Sequence, residues 1–500
     1  MRTVPDFARQ RALLTPDAVA FRDIASGRIW TFQEIDDLAE RLAAMFEARG
    51  LAEGERVAVL CHNTPFFFAL LFAAAKAALI LVPLNWRLTA RELGPIVADC
   101  DARLLLHDEA TSSLAEIVAR EAEIARVSFD ECELLATSVE PRTDRATTWP
   151  TDRVWYLLYT SGTTGKPKAV IQTPGMALAN YINAQQATGI GAADGTVNFL
   201  PLFHTAGINL HALPVFIAGG TSHILAKFDT DPLLDLIEAG AVSVFFGVPA
   251  IYQAISLHPR FQRIDFSRVR HWGCGGAPLP ESLIHAFLAK GALVCNGMGM
   301  TETGPTVFLM DPEHANEKIG SVGKPQIMTE VRLVDAAGKV VADGAPGEIQ
   351  FRGPNITPGY FNNAEATAAA FDGAWLRSGD VGRRDADGYY FIVDRIKDMY
   401  ISGGENVYPA EVEAVLHAHP AILEAAVVGV PDARWGEVGH AHILLRPDQA
   451  LDEAAVRDWS RARLAAYKVP RHVTFVGEFP RTAAGKIQKH VLRRATTAQA

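Results

Sequence analysis

Short apolar runs, alternating with amphipathic stretches and ending in glycine or polar residues, dominate the N-terminal part of this chain. Runs at 57–61, 79–82, 104–107, 197–200, 242–246, 270–273 and 292–296 are too short for helices and show no polar alternation. That is the pattern of strands buried on both faces. Between them, Thr31-x-x-Glu34 and Thr89-x-x-Glu92 are capping boxes that open helices, the first running to about Arg49. The alternation predicts an α/β fold with two parallel sheets covered by helices. Ligands of such sheets bind beyond the carboxyl ends of the strands. There the sequence places Phe203-His204-Thr205, Gly247-Val248-Pro249, Gly275-Gly276-Ala277-Pro278 and residues 296–302.

At 500 residues the chain exceeds a single core, so at least two domains are expected. From about 320 to 394 the pattern changes to short runs with Gly and Pro turns. Those at 331–334, 347–352 and 389–393 read as strands of a distorted β-barrel or small antiparallel sheet. Beyond Arg395 a small α+β unit is expected, with helices at 409–417 and 452–466 and strands at 425–430 and 440–445. The charged run 394–398 reads as a tight hinge. The expected domains are therefore 1–395, large, and 396–500, small and mobile.

Residues 66–82 imitate a membrane span, but Lys76 interrupts them and the run is short for a bilayer. A buried helix over 65–77 feeding a strand at 79–82 is the better reading, with no membrane span. The N-terminus lacks the apolar core of a signal peptide, so a cytoplasmic protein is expected. A formal charge of −10 without a basic stripe argues against nucleic acid. Cys61, Cys100, Cys132, Cys274 and Cys295 are scattered, which excludes a Cys-x-x-Cys zinc site and fits a reduced compartment.

The segment from Tyr159 to Lys168 sets two glycines, four hydroxyls and two lysines between apolar runs at 154–159 and 169–171. As a strand-to-strand turn it offers converging backbone N–H groups, rotatable donors and positive charge, which suits a polyphosphate. It is not a Walker A loop. Glu302 follows a strand and is a hard oxygen donor of the kind Mg²⁺ prefers, although a Thr-Glu pair can equally cap a helix. Asp380 could sit in a surface turn, Arg395 could form an interdomain salt bridge, and Lys486 could belong to a solvated basic tail with Lys489, Arg493 and Arg494.

Taken together and in order, these motifs resemble the adenylate-forming superfamily, which includes acyl-CoA synthetases, peptide-synthetase adenylation domains and beetle luciferases. The resemblance runs from about Thr31 to Arg494. It implies an enzyme that joins a carboxylic acid to AMP and then passes the acyl group to a thiol, with ATP, Mg²⁺ and CoA as partners. It assigns the nucleotide to Thr160, Ser161, Gly162, Thr163, Thr164, Gly165, Lys168, Gly276, Ala277, Pro278, Met298, Gly299, Met300, Thr301, Asp380, Ile392, Arg395 and Lys486. It makes Lys486, Glu302, Thr301 and His204 catalytic, with Glu302 on the metal.

The acid would meet His204, Gly207, Phe246, Val248, Gly273, Gly275 and Met298. Ser402, Gly403 and Gly404 would face CoA, and Lys397 would be the hinge. Met298 stands where the family usually carries an aromatic residue, and Asp394 replaces a frequent glycine. No carrier domain is present, so a stand-alone carboxylate–CoA ligase is expected, with a nucleotide-binding pseudoenzyme as the alternative. The spelling of 248–253, 318–325 and 397–409 is similar to bacterial feruloyl- and coumaroyl-CoA synthetases and also to fatty acyl-CoA synthetases. With an otherwise apolar lining, hydroxycinnamates are favoured over fatty acids. A homodimer is a further expectation.

Overall fold

The computed structural model describes residues 1–160, 167–481 and 487–497. The fold is α/β with mixed sheets, a large N-terminal part and a small C-terminal one. A six-stranded sheet has the order Lys168–Gln172, Tyr156–Thr160, Ile80–Pro83, Arg56–Leu60, Ala102–His107 and Ala125–Ser128. It is parallel except at the hairpin Tyr156–Thr160/Lys168–Gln172, whose two strands flank the phosphate-loop candidate. A four-stranded sheet contains Gly195–Asn198, Thr221–Ile224, Val19–Asp23 and Ile29–Thr31.

The second parallel set, Val244–Gly247, His271–Cys274 and Val294–Gly299, is not a closed sheet. It continues through antiparallel Thr306–Leu309 and Ser321–Pro325 into Tyr390–Arg395, Trp375–Arg384, Gly347–Arg352 and Glu330–Val334. The strands expected as a barrel or small antiparallel sheet do pair antiparallel, as the far end of one ten-stranded sheet. A change from parallel to antiparallel pairing leaves no trace in the periodicity of a single strand. The C-terminal unit has a five-stranded sheet, led by the long hairpin Ile422–Asp432/Gly436–Leu445. The helices Pro409–His417 and Lys489–Thr497 pack on it.

The capping box at Thr31 is formed: its N–H donates to Glu34 Oε2 at 2.7 Å, and the helix runs Phe32–Ala48. The apolar segment forms the helix Pro65–Lys76, capped by Thr64 and buried at every residue, then the strand Ile80–Pro83. No helix among the described residues is long and apolar enough to cross a membrane.

Lys76 is the buried exception in that helix. Its ammonium lies 2.6 Å from Asp6, 2.8 Å from Asp36 and 2.7 Å from Glu40. Arg145 holds the other oxygen of Glu40 at 2.9 Å, pairs with Glu47 at 2.7 Å and donates to the Lys76 carbonyl at 3.0 Å. A lone charge here would be untenable, so this cage is a condition for burying the helix. Burial alone would depress Lys76, but Asp6 and Asp36 outweigh it and hold the ammonium above the ordinary lysine value. The carboxylate trio has the spacing of a cation site, and the ammonium already stands within it.

Candidate active site

A cleft of about 3360 Å³ opens at the carboxyl ends of Val244–Gly247, His271–Cys274 and Val294–Gly299 and reaches the C-terminal unit. Most residues singled out in the sequence wall it. Thr160 ends its strand opposite Lys168, both at the cleft. Ser161, Gly162, Thr163, Thr164 and Gly165 lie outside the described residues, as does Lys486.

Thr301, Glu302 and Thr303 form a 3₁₀ turn whose carbonyls are all fastened. Gln172 donates to the Thr301 carbonyl at 2.9 Å, the Thr357 N–H to that of Glu302 at 2.8 Å, and Asn355 to that of Thr303 at 2.9 Å. Glu302 Oε1 accepts a 2.9 Å bond from the Tyr360 hydroxyl, and the ammonium of Lys168 lies 5.0 Å from the centre of the Tyr360 ring. A carboxylate and a lysine are thereby set on either side of one phenol. The turn is a hydrogen-bonded platform for an anionic oxygen donor, and the chemistry of that donor fits Mg²⁺. Its Thr-Glu pair caps no α-helix.

Met298, Gly299 and Met300 lead into this turn and wall the cleft. A Cβ on Gly299 would lie 1.6 Å from the Pro305 carbonyl oxygen, so the strand can pass there only as glycine. Met298 pairs with Phe308 across the strands and packs against its cluster, giving a flexible apolar surface rather than an aromatic face. Gly276, Ala277 and Pro278 follow on the neighbouring strand, Gly276 with a φ of +83°. Asp380 is buried and faces Arg395 across the antiparallel pair, with Arg395 Nε 3.2 Å from Asp380 Oδ1. The salt bridge considered for Arg395 therefore exists, but within one sheet rather than between domains.

Of the residues the resemblance assigns to the acid, His204, Phe246, Val248, Gly275 and Met298 wall the cleft. Gly207 and Gly273, expected there, do not. A Cβ at Gly207 would meet the Pro201 carbonyl oxygen at 2.2 Å, and one at Gly273 the Phe246 ring at 2.9 Å. Both lie a layer beneath the wall, where they let backbone and ring pack closely. Two residues not foreseen line the cleft as well, His211 and His271. Burial, aided by His271, pushes His211 down to about 3. Burial and then Arg270 push His271 down to about 4, so both imidazoles are neutral at physiological pH. His271 shares a strand face with Gly273 and Gly275, a spacing of two that was readable. His211 follows a π-helical turn, Ala206–Leu210, whose register no helical period predicts.

From the C-terminal unit, Arg481, Ile487 and Lys489 wall the cleft, and the turn Ser402-Gly403-Gly404 does not. Gly403 and Gly404 both have positive φ, and the Gly403 N–H donates to the Trp435 carbonyl at 2.8 Å. Lys397 borders the cleft just after Tyr390–Arg395. Asp394 is buried. Its carboxylate accepts from the Ala410 N–H at 2.7 Å, in the first turn of Pro409–His417. A carboxylate at a helix N-terminus is favourably placed, so this bond straps the last strand of the long sheet to the C-terminal unit.

A parallel-sheet cleft with an anchored carboxylate, a buried aspartate paired with an exposed arginine and a small C-terminal unit at its mouth fits a nucleotide-dependent acid-activating enzyme. The chain belongs to the AMP-binding enzyme family, matching it over residues 8–361 and its C-terminal domain over 411–486. It is 41% identical over 485 residues to feruloyl-CoA synthase of an Amycolatopsis species, covering 97% of each chain. It is 33% identical to the long-chain-fatty-acid–CoA ligase FadD13 of Mycobacterium tuberculosis over 506 residues, covering 100% of this chain and 99% of that one. ATP-bound MatB from Rhodopseudomonas palustris superimposes with a TM-score of 0.91 at 30% identity, covering 99% of both chains. The protein is an AMP-forming acid–thiol ligase that uses ATP, Mg²⁺ and CoA.

Proposed function

We propose that the acid is a hydroxycinnamate or a related aryl acid. The observation that carries this is the chemistry of the cleft wall. His271, which opens the strand His271–Cys274, and Gly275 just past it both line the cleft, and the Phe246 ring covers Gly273 between them. Phe246 thus offers a flat apolar wall of the kind an aromatic ring packs on, with the polar but uncharged His211 and His271 beside it. The 41% match to a feruloyl-CoA synthase supports the same reading.

In the first half-reaction a carboxylate oxygen of the acid attacks the α-phosphorus of ATP, and the bond to the departing pyrophosphate breaks. Asp380 accepts hydrogen bonds from the ribose hydroxyls and Arg395 steadies it. Lys168 would face the phosphates, and Glu302, held by Tyr360, would hold Mg²⁺. When bound, that ion offsets phosphate charge as a Lewis acid. Lys486 is assigned to the charge that develops between the two anions. Because Arg481 and Ile487 wall the cleft while the Gly403–Gly404 turn does not, we read the present pose as the adenylating one. In the second half-reaction the CoA thiol gives its proton to solvent, its sulfur bonds to the acyl carbon, and the bond from that carbon to the phosphate oxygen breaks as AMP leaves. That step requires the unit 396–500 to rotate about Lys397 and release the Asp394–Ala410 strap.

The test is a competition assay with ATP, Mg²⁺ and CoA over equimolar ferulate, p-coumarate, benzoate, octanoate and palmitate, read by mass spectrometry. A dominant hydroxycinnamoyl thioester is expected. Octanoyl or palmitoyl thioesters in excess would overturn the aryl assignment.

A further inference from the structure

His211 stands where the π-helical turn Ala206–Leu210 gives way to the helix Ala212–Ala218. Its ring is edge-on to Phe246, with centroids 6.2 Å apart, and 6.5 Å from the ring of His271. Phe246 in turn lies across Gly273 and Gly275, whose added Cβ atoms would come within 2.9 and 3.0 Å of it. The two imidazoles and the phenyl ring thus form one stretch of the cleft wall.

Buried histidines usually have their ring nitrogens hydrogen-bonded. His211 is buried yet walls the cleft, and neither ring nitrogen has a hydrogen-bond partner among the described residues; Nδ1 is shut off from the cleft, so Nε2 is the nitrogen a ligand can reach. A neutral imidazole both donates and accepts. A phenolic hydroxyl does the same, so the two are matched in kind. A second carboxylate would meet no fixed positive charge here, and a methyl terminus would leave the imidazole without a polar partner.

We propose that His211, backed by His271, receives the ring hydroxyl of a 4-hydroxylated aryl acid and sets the preference of this ligase for phenolic over unsubstituted aryl acids. The proposal rests on the aryl-acid reading and adds to it the residue that distinguishes one aryl acid from another.

The experiment compares kcat/KM for p-coumarate and for cinnamate in the wild type, His211→Phe, His211→Asn and His211→Gln, with Tm measured on each. The last two carry an amide near the Nδ1 and Nε2 positions respectively. The wild type should prefer p-coumarate by about tenfold or more, since a site built around a substrate hydroxyl discriminates against its absence. His211→Phe should bring that ratio close to one, and at least one amide variant should restore part of it. An equal loss for both acids, with the ratio intact, would mark a structural histidine and overturn the proposal. So would a wild type that treats the two acids alike, although the aryl reading would then survive. Turnover of octanoate with neither aryl acid accepted would sink the aryl reading itself.

Discussion

Lys76 and His211 are both buried polar side chains in apolar surroundings, and the protein treats them in opposite ways. Around Lys76 every charge has an answer: three carboxylates face the ammonium, and Arg145 braces the carboxylate it shares. Around His211 the neighbours are rings, and neither ring nitrogen is hydrogen-bonded among the described residues, although the side chain walls the cleft. A completed network fastens elements far apart in sequence, here the N-terminus, two helices and Arg145. An incomplete one beside a cavity marks where a ligand is needed to finish it. The difference separates a polar group that holds the fold from one that serves the site.

The sharpest way to break the contrast is Lys76→Met. It leaves buried carboxylates facing no ammonium, and a loss of about 3–5 kcal/mol in unfolding free energy is expected by denaturant titration. A loss below about 1 kcal/mol would show that the cage is dispensable. Glu302→Gln should do the reverse. It keeps an acceptor for Tyr360 but removes the charge, so ATP–pyrophosphate exchange should fall about 10²–10³-fold with Tm almost unchanged. A comparable fall in Tm would move Glu302 to the structural side.

The smallest effect is a pH dependence that sharpens the cage alone. Burial raises Asp36 from 3.8 to about 6, against the lowering pull of Lys76. The unfolded chain releases this proton first. The group's contribution is therefore full below about pH 3.8 and is lost as pH rises through about 6. The slope in that window is at most about 1.4 kcal/mol per pH unit. Asp36→Asn should remove this part of the stability–pH curve.

Much of this was legible in the sequence because it is local. The strands at 57–61, 104–107 and 270–273 appear as Arg56–Leu60, Ala102–His107 and His271–Cys274, and the Thr31 box caps its helix as read. The glycines at 299 and 276 stand where backbone approaches closely or φ is positive. What escaped was non-local. The partners of Lys76 lie as far as 70 residues away, and the bond from Ala410 to Asp394 joins two units. Asp380 and Arg395 meet only through strand register. Gly207 and Gly273 had the right residue type for a cavity wall but serve the layer behind it, and periodicity says nothing about depth. His211 was hidden by the π-turn before it.

The caged lysine has an earlier life than the folded protein. Before the N-terminal helices dock, residues 66–82 form a stretch whose hydropathy invites a bilayer, and Lys76 sits near its middle. A lysine at the centre of a membrane-inserting helix costs about 2.5–3.5 kcal/mol, enough to disfavour so short a span. The same ammonium therefore serves two environments in turn. It biases the emerging segment toward water, and once Asp6, Asp36 and Glu40 close around it, it lets that segment leave water as the most deeply buried helix of the large domain.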